Sequence, residues 1–393
     1  MIPKWRLAVL LSYFSVASVS AAIITPGLPA MQLYFGLKAG VIDWVMTAFL
    51  AGYVVGQLIY APLANRFGRL YALRSGLIIN LLGILICMLA CSLKYFDLLI
   101  AGRFICAFGA ASGLACTFML VNEWLPQSLR KTAMAYSILS FTLGIGIAVT
   151  LGGLVTEYLT WPICFIVLFV QGILLFWGTW LFEETLSEVK SINFYRIFAD
   201  YKNALQSSTL VIFALAAGFC SAIGYCFSTA APQIARQVLH LSPSAYGYWN
   251  LLNMLGMLVG ALWAKRLGIY YTARQVLLWG MAGCALGIGS LLAMICGHQS
   301  SAGWFFCSTA SLYLFSGLVF ANASLIATSA LQDKACASAM MSFINMLTAA
   351  MCVLLMGYLS VNTLQGLTEI LLLMWLLVYG LLLQYPKYQQ ALN

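Results

Sequence analysis

The feature that most limits how this chain can fold is a basic turn that occurs twice. Leu63-Ala64-Asn65-Arg66-Phe67-Gly68-Arg69-Leu70-Tyr71-Ala72-Leu73-Arg74 is answered by Trp263-Ala264-Lys265-Arg266-Leu267-Gly268-Ile269-Tyr270-Tyr271-Thr272-Ala273-Arg274. Ala64, Arg66, Gly68, Tyr71 and Arg74 recur without a gap at Ala264, Arg266, Gly268, Tyr271 and Arg274, and upstream Gly56 recurs at Gly256. Each copy joins two long apolar runs. Chance similarity between two positive turns is the competing explanation. The shared offset argues instead for a chain built from two related halves.

The apolar runs decide which solvent the chain meets. Hydrophobic residues make up 63% of it and charged residues 7%, against about 25% charged in a soluble domain. So few polar groups cannot cover a water-facing surface, so the surface faces lipid. A helix needs roughly 20 apolar residues to cross ~30 Å of hydrocarbon. Twelve such stretches are predicted, near 7–25, 42–62, 72–92, 97–120, 133–156, 162–182, 209–231, 245–264, 275–296, 303–327, 336–359 and 366–384. They are continuous rather than alternating, which selects helices over barrel strands. The expected fold class is an all-α membrane protein with twelve transmembrane helices in two six-helix bundles. Residues 1–182 would form the first bundle, 183–208 a cytoplasmic linker and 209–393 the second bundle. Lys4 and Arg6 precede the first run as in a secretory signal, but eleven further runs make a retained first helix the better reading.

Charge sets the orientation. With the N-terminus inside, fifteen Lys and Arg fall on the inner side, and only Lys38, Lys94 and Arg236 fall outside. That asymmetry predicts both termini in the cytoplasm. The net charge of +9 therefore reports topology and contact with anionic lipid, not nucleic acid. The twelve Cys lie in or beside apolar runs without a CxxC pair, and only His240 and His298 offer imidazole. No metal site, no cofactor and no disulfide framework is expected. In the linker, Phe194, Phe198, Tyr201 and Leu205 follow one helical face, with Lys190, Arg196 and Lys202 on others. An amphipathic helix on the inner leaflet fits this pattern, and a plain tether is the simpler alternative.

These residues resemble a known family. The six-plus-six layout, the repeated basic turn and Glu184-Thr185-Leu186 after the sixth run are similar to the major facilitator superfamily. More narrowly, Gly56-Gln57-Leu58-Ile59-Tyr60-Ala61-Pro62-Leu63, Arg66-Phe67-Gly68-Arg69, Pro26-Gly27-Leu28-Pro29 and Leu241-Ser242-Pro243 through Tyr246-Gly247 resemble the Bcr/CflA-type multidrug-resistance exporters. The resemblance implies a drug:proton antiporter of a bacterial inner membrane. It would work by alternating access around a central cavity, with a small-molecule substrate, protons as coupling ion and no partner subunit. The family's turn usually reads Gly-x-Leu-x-Asp-Arg-x-Gly-Arg-Arg. Here Ala61, Asn65 and Leu70 replace the first Gly, the Asp and the last Arg. The resemblance assigns Asn65, Arg66, Gly68, Arg69, Arg266 and Gly268 to a cytoplasmic gate, weakened because Asn65 carries no full charge. Topology alone also accounts for these charges. In the fifth run, Gly144, Gly152 and Gly153 suit close helix packing. The family's Pro is Val149, so its kink is not expected.

Arg103 stands within the fourth run, about six residues from its outer end or ~9 Å deep. A cation there costs about 2.5 kcal/mol or more unless it is paired or wet. It matches the family's cavity arginine, with Cys106 in place of the usual following Gln. Reaching out to the headgroups is the competing reading. The other expected wall residues are Ser15, Tyr53, Gln57, Tyr225 and Asn253. The ten acids all fall at run ends or in loops, and the family's first-run Asp is Ala22. Asp43 and Glu123 remain the candidate proton couplers, although a solvated helix-end charge is the simpler reading of each. A cavity with an arginine and no acid favours anionic or neutral amphiphiles over organic cations; an Asp43 that reaches and neutralises Arg103, or a broad apolar pocket with slight charge preference, is the competing reading. Efflux is expected on resemblance alone. An importer of a nutrient or metal chelate, and a sensor or scaffold that transports nothing, are the rivals, since a fold does not set direction. No HExxH, GxSxG or phosphate loop suggests an enzyme.

Overall fold

The computed structural model describes residues 4–38, 40–186, 194–359 and 362–392. The described secondary structure is helical throughout. The first pass, Trp5–Phe35, is assembled from α1 (Lys4–Ser12), α2 (Val16–Ala22) and α3 (Leu28–Phe35), joined by short 3₁₀ turns at Tyr13–Ser15 and Thr25–Gly27. The sequence predicted an end at residue 25, and the structure carries the helix ten residues further. Pro26 and Pro29 sit in the first positions of helical segments, where a missing N–H leaves no bond unmade. Gly36, in the left-handed conformation at φ 64°, is what stops the pass.

Five more passes complete the first set: α4 (Trp44–Phe67), α5 (Arg69–Leu93), α6 (Phe96–Trp124), α7 (Gln127–Tyr158) and α8 (Ile163–Gly178). The linker helix α9 (Phe194–Leu205) follows. It buries Ala204 and leaves Leu205 exposed, while the side chains of Phe194 and Phe198 lie outside the described residues. Then come α10 (Ser208–Gln237), α11 (Pro243–Leu267), α12 (Ala273–Cys296), α13 (Ala302–Ser329), α14 (Lys334–Leu359) and α15 (Thr363–Leu392). Among the described residues, ten passes are long and apolar enough to cross a membrane, and Leu143–Tyr158 in α7 is a shorter apolar helix. The eighth pass, α11, is more polar because it carries Asn250, Asn253, Lys265 and Arg266.

The chain divides into two compact units. One comprises residues 1–192 with 242–247, the other 193–241 with 248–393. Within the first, α6 packs along both α4 and α5, and small residues set the spacing. A Cβ at Gly52 would overlap the Phe104 backbone, one at Gly83 the Cys106 backbone, and one at Gly109 the Asn80 backbone. The second unit repeats this scheme. Gly56 meets Phe108 and Ala111 of α6, and its counterpart Gly256 meets Ala310 of α13. The sequence repeat is thus a repeat of helix packing. In α7, Gly144 faces Ser15 and Val19, Gly152 lies against the Ile23 carbonyl, and Gly153 lies against Pro243.

Candidate functional site

The first unit is organised around Arg103. The close α4–α6 and α5–α6 approaches leave no solvent at its side chain, which is 0% exposed. The guanidinium lies over the Phe49 ring, 4.2 Å from its centroid. Nη1 donates to the Ser20 carbonyl at 3.1 Å and Nε reaches the Val45 carbonyl at 3.5 Å. Nη2 is sealed from solvent and has no hydrogen-bond partner. One turn along α6, Cys106 Sγ is 3.3 Å from Ser20 Oγ and receives Asn80 Nδ2 at 3.1 Å. The same amide nitrogen donates to the Cys106 carbonyl at 2.8 Å.

The magnitudes show what is missing. Burying one ion costs several kcal/mol even after relaxation. A desolvated cation–π contact returns about 2 kcal/mol, and two carbonyl bonds to a charged donor about 1.5–3 kcal/mol each. The contacts come close to offsetting the cost, yet one donor is idle and no counter-charge is supplied. Arg69 and Arg103 are the only charged side chains among the buried described residues. A negative group entering this site would meet a donor already aimed and already stripped of water.

The other predicted wall residues divide between the units. Tyr53 is buried one turn below Phe49 on α4, and Gln57 follows one turn further on the same face. Gln57 Oε1 is sealed without a hydrogen-bond partner. Ser15 is buried in the Tyr13–Ser15 turn, and its hydroxyl is spent on the Ser12 carbonyl at 2.7 Å. Tyr225 and Asn253 belong to the second unit. There Asn253 Nδ2 donates to Asn250 Oδ1 at 3.1 Å, and Asn253 Oδ1 accepts from Thr309 Oγ1 at 2.9 Å. Trp249 stacks on Phe306 at 5.5 Å beside this amide chain. Tyr225 is half-buried.

Of the predicted gate residues, Asn65, Arg66, Gly68 and Arg69 belong to the first unit and Arg266 and Gly268 to the second. Gly68, alone between α4 and α5, has φ +114° and turns the chain sharply. Glu184 fills the space above it: Oε1 accepts from the Arg69 N–H at 2.8 Å and Oε2 from the Leu70 N–H at 3.0 Å. A carboxylate therefore caps the positive end of α5. Arg69 pairs with Glu123 at 2.8 Å, donates to Asn65 Oδ1 at 2.9 Å and to the Ala64 carbonyl at 2.6 Å. Thr185 Oγ1 donates to the other Glu123 oxygen. Glu123, expected as a proton coupler, is thus engaged by Arg69 and Thr185. The charge that Asn65 lacks is supplied from α6 instead. Arg66 points to solvent.

The second copy of the turn is built differently. Five residues separate α11 from α12, Gly268 has no positive φ, and Arg266 and Gly268 are exposed. Thr272 and Gln275 form a capping box at the start of α12, the task that Glu184 performs on α5. Arg74 and Arg274 do keep their correspondence. Arg74 lies 5.2 Å from the Trp180 ring and bonds Thr179, and Arg274 lies 5.9 Å from the Tyr385 ring.

Asp43, the second coupling candidate, is half-buried at the start of α4, and its side chain makes no cap. Sequence reasoning missed Glu157. Its Oε2 accepts the Ser244 N–H at 2.8 Å, fixing the 242–247 segment inside the first unit. The signal was present in Ser242-Pro243-Ser244, a helix start that calls for an acceptor. Ser20, Phe49 and Asn80 were missed as well, because nothing local marks an uncharged neighbour of a buried cation.

A multi-pass helical bundle with two repeated basic turns and a cation sealed in its interior defines the architecture of a membrane transporter. The sequence profile of the Major Facilitator Superfamily matches residues 9–224, and the chain belongs to that superfamily. It is 28% identical over 345 residues to the "Multidrug transporter MdfA" of Shigella boydii, covering 84% of this chain and 80% of that one. It is 26% identical over 267 residues to an "Uncharacterized transporter" of Rickettsia felis, covering 66% of this chain and 63% of that protein's length. Two solved structures share the fold. A D-xylose-proton symporter aligns with a TM-score of 0.80 at 13% identity, over 95% of this chain and 96% of its own. The POT family transporter PepTSo aligns with a TM-score of 0.75 at 15% identity, over 98% and 99%.

Proposed function

We propose that this chain is a secondary transporter that exports small amphiphilic molecules across a bacterial inner membrane by alternating access, with both termini in the cytoplasm. Export is favoured by the similarity to a multidrug transporter over 84% of the chain. The observation that carries the substrate preference is the idle Nη2 of Arg103, buried with no acidic partner among the described residues. Such a site prefers a carboxylate, a sulfonate or a neutral acceptor to an organic cation, because a second cation would face uncompensated repulsion in low dielectric. Tyr53 and Gln57 supply an aromatic and an amide surface along the same α4 face, which suits an amphiphile rather than a bare ion.

The test is accumulation in everted vesicles. Matched aromatic amphiphiles carrying a sulfonate, no charge or a quaternary ammonium are offered to vesicles with and without the protein. Saturable accumulation of the sulfonate and the neutral compound, reduced at least tenfold in Arg103→Ala at equal expression, is the expected outcome. Preferential accumulation of the cation, indifferent to Arg103, would reject the substrate preference. Exit from everted vesicles in place of accumulation would turn the reading to import.

A further inference from the structure

The acids of this chain bear on how it is driven. Eight of the ten carboxylates lie among residues whose side chains are described, and none of the eight is buried. Asp43 is half-buried, and Asp97, Glu123, Glu157, Glu183, Glu184, Asp333 and Glu369 are exposed. Several of them already have fixed work. Glu123 holds Arg69, Glu184 caps α5, Glu157 caps the start of α11, and Asp333 accepts from the Cys336 N–H at 3.0 Å in the first turn of α14. The remaining two, Glu188 and Asp200, belong to the hydrophilic linker sequence. Among the described residues, the interior therefore carries a fixed positive charge at Arg103 and no carboxyl pairs with it. The groups facing the guanidinium are Ser20, Val45 and Phe49, with two thiols, Cys87 and Cys106.

We infer that transport is driven by the membrane potential acting on the substrate's own charge, without exchange of a proton: the chain is an electrogenic uniporter of small organic anions. This rests on its being an exporter of anionic amphiphiles. The logic is electrostatic. A guanidinium stays protonated throughout the cycle. Loaded with a monoanion the site is neutral, and empty it is positive, so one negative charge moves outward per turnover. An inside-negative potential of ordinary bacterial size favours that movement by roughly fifty-fold per charge. An exporter of cations works against the same potential and needs a proton to do so. An exporter of anions does not, and among the described residues no carboxylate pairs with the Arg103 guanidinium.

The experiment uses the purified full chain in liposomes, with naphthalene-2-sulfonate as the anion and the matched naphthyl-trimethylammonium as the cation. Both are permanently charged, so neither crosses as a neutral acid or base. A potassium gradient with valinomycin sets the potential, and a separate pH gradient is imposed at clamped zero potential. Expected are sulfonate accumulation toward the positive side, rising with the potential, and no response to the pH gradient. Arg103→Leu should lose this at unchanged melting temperature and monodispersity. Sulfonate movement that follows the pH gradient at zero potential would overturn the inference while leaving the anion-exporter reading standing. If Cys106→Ser abolished that pH response, the proton would be assigned to the thiol, and the inference would again be overturned. Movement of neither probe under any gradient would strike the exporter reading itself.

Discussion

Arg103 shows how one residue acquires meaning from its neighbours. Its charge is held by the face of Phe49 and two backbone carbonyls rather than by an acid. Phe49→Ala removes about 2 kcal/mol of cation–π stabilisation and opens a void beside α6. We expect a protein that still folds but melts several degrees lower and binds sulfonate amphiphiles several-fold more weakly, as read by thermal shift with and without ligand. Arg103→Lys keeps the charge but cannot reach Ser20 and Val45 in fork geometry. Transport by that variant should fall about tenfold in everted vesicles, and full activity would show that only the charge matters. Asn65 is the instructive opposite. Its Oδ1 already accepts from Arg69, so Asn65→Asp adds a second anion to a guanidinium that Glu123 already engages. Labelling of a single-Cys probe at the cytoplasmic end, in a Cys-free background, should fall about two- to threefold. This is a small effect, because a partly exposed pair contributes about 1 kcal/mol or less.

At the level of elements, the start of α5 gathers Glu184, Asn65 and the Arg69–Glu123 pair around one turn. Gly68 there faces a double constraint. Its φ of +114° disfavours any side chain, and a Cβ would come within 2.5 Å of Glu184 Oε2. Gly68→Ala should cost about 1–2 kcal/mol from backbone strain, plus the displacement of Glu184. The same substitution at Gly268 meets neither obstacle, since a Cβ there approaches only the Ala264 and Lys265 carbonyls at 3.3 and 3.7 Å. Paired melting curves of the two variants in detergent should therefore differ by several degrees, and equal melting would mean that the first turn is not rigid. Glu184→Gln tests the cap separately. It keeps the acceptor oxygen but loses the charge that favours the helix end, an effect of about 0.3–1 kcal/mol, read in the same melts.

On the scale of the whole chain, the two units repeat a scheme of packing rather than a scheme of ends. Gly56 and Gly256 sit against α6 and α13, and Arg74 and Arg274 each lie over an aromatic ring near the end of their unit's last pass. The turns between, one with a single glycine and one with five residues, have diverged. Among the described residues, the buried charged side chains are Arg69 and Arg103, both in the first unit. The second presents Asn250, Asn253, Thr309 and an aromatic group instead. Replacing Asn253 by Ala should therefore alter selectivity among neutral amphiphiles about two- to fivefold, with little effect on the charge preference. Competition in vesicles between the sulfonate and neutral probes is the measurement, and a shift in charge preference instead would place Asn253 near the anion.

Much of this was legible in the chain alone, because membrane physics leaves few options. Runs of apolar residues must become helices, since unpaired backbone is untenable in hydrocarbon. An arginine inside such a run stands out by its cost. The helical passes, the repeat, the prominence of Arg103 and the shortage of interior acids all follow from residue order and solvent. What residue order did not contain was partnership. Glu123 read as a free helix-end acid until Arg69, 54 positions away, was seen beside it, with Thr185 on its other side. Glu184 read as a linker residue, although it caps a helix 115 positions earlier. Pro26 and Pro29 read as an exit from the first pass, although the helix takes them at positions that need no N–H. Composition and period are local and set by solvent. The neighbours of a charge are set by which helices approach through their glycines, and that is decided only in three dimensions.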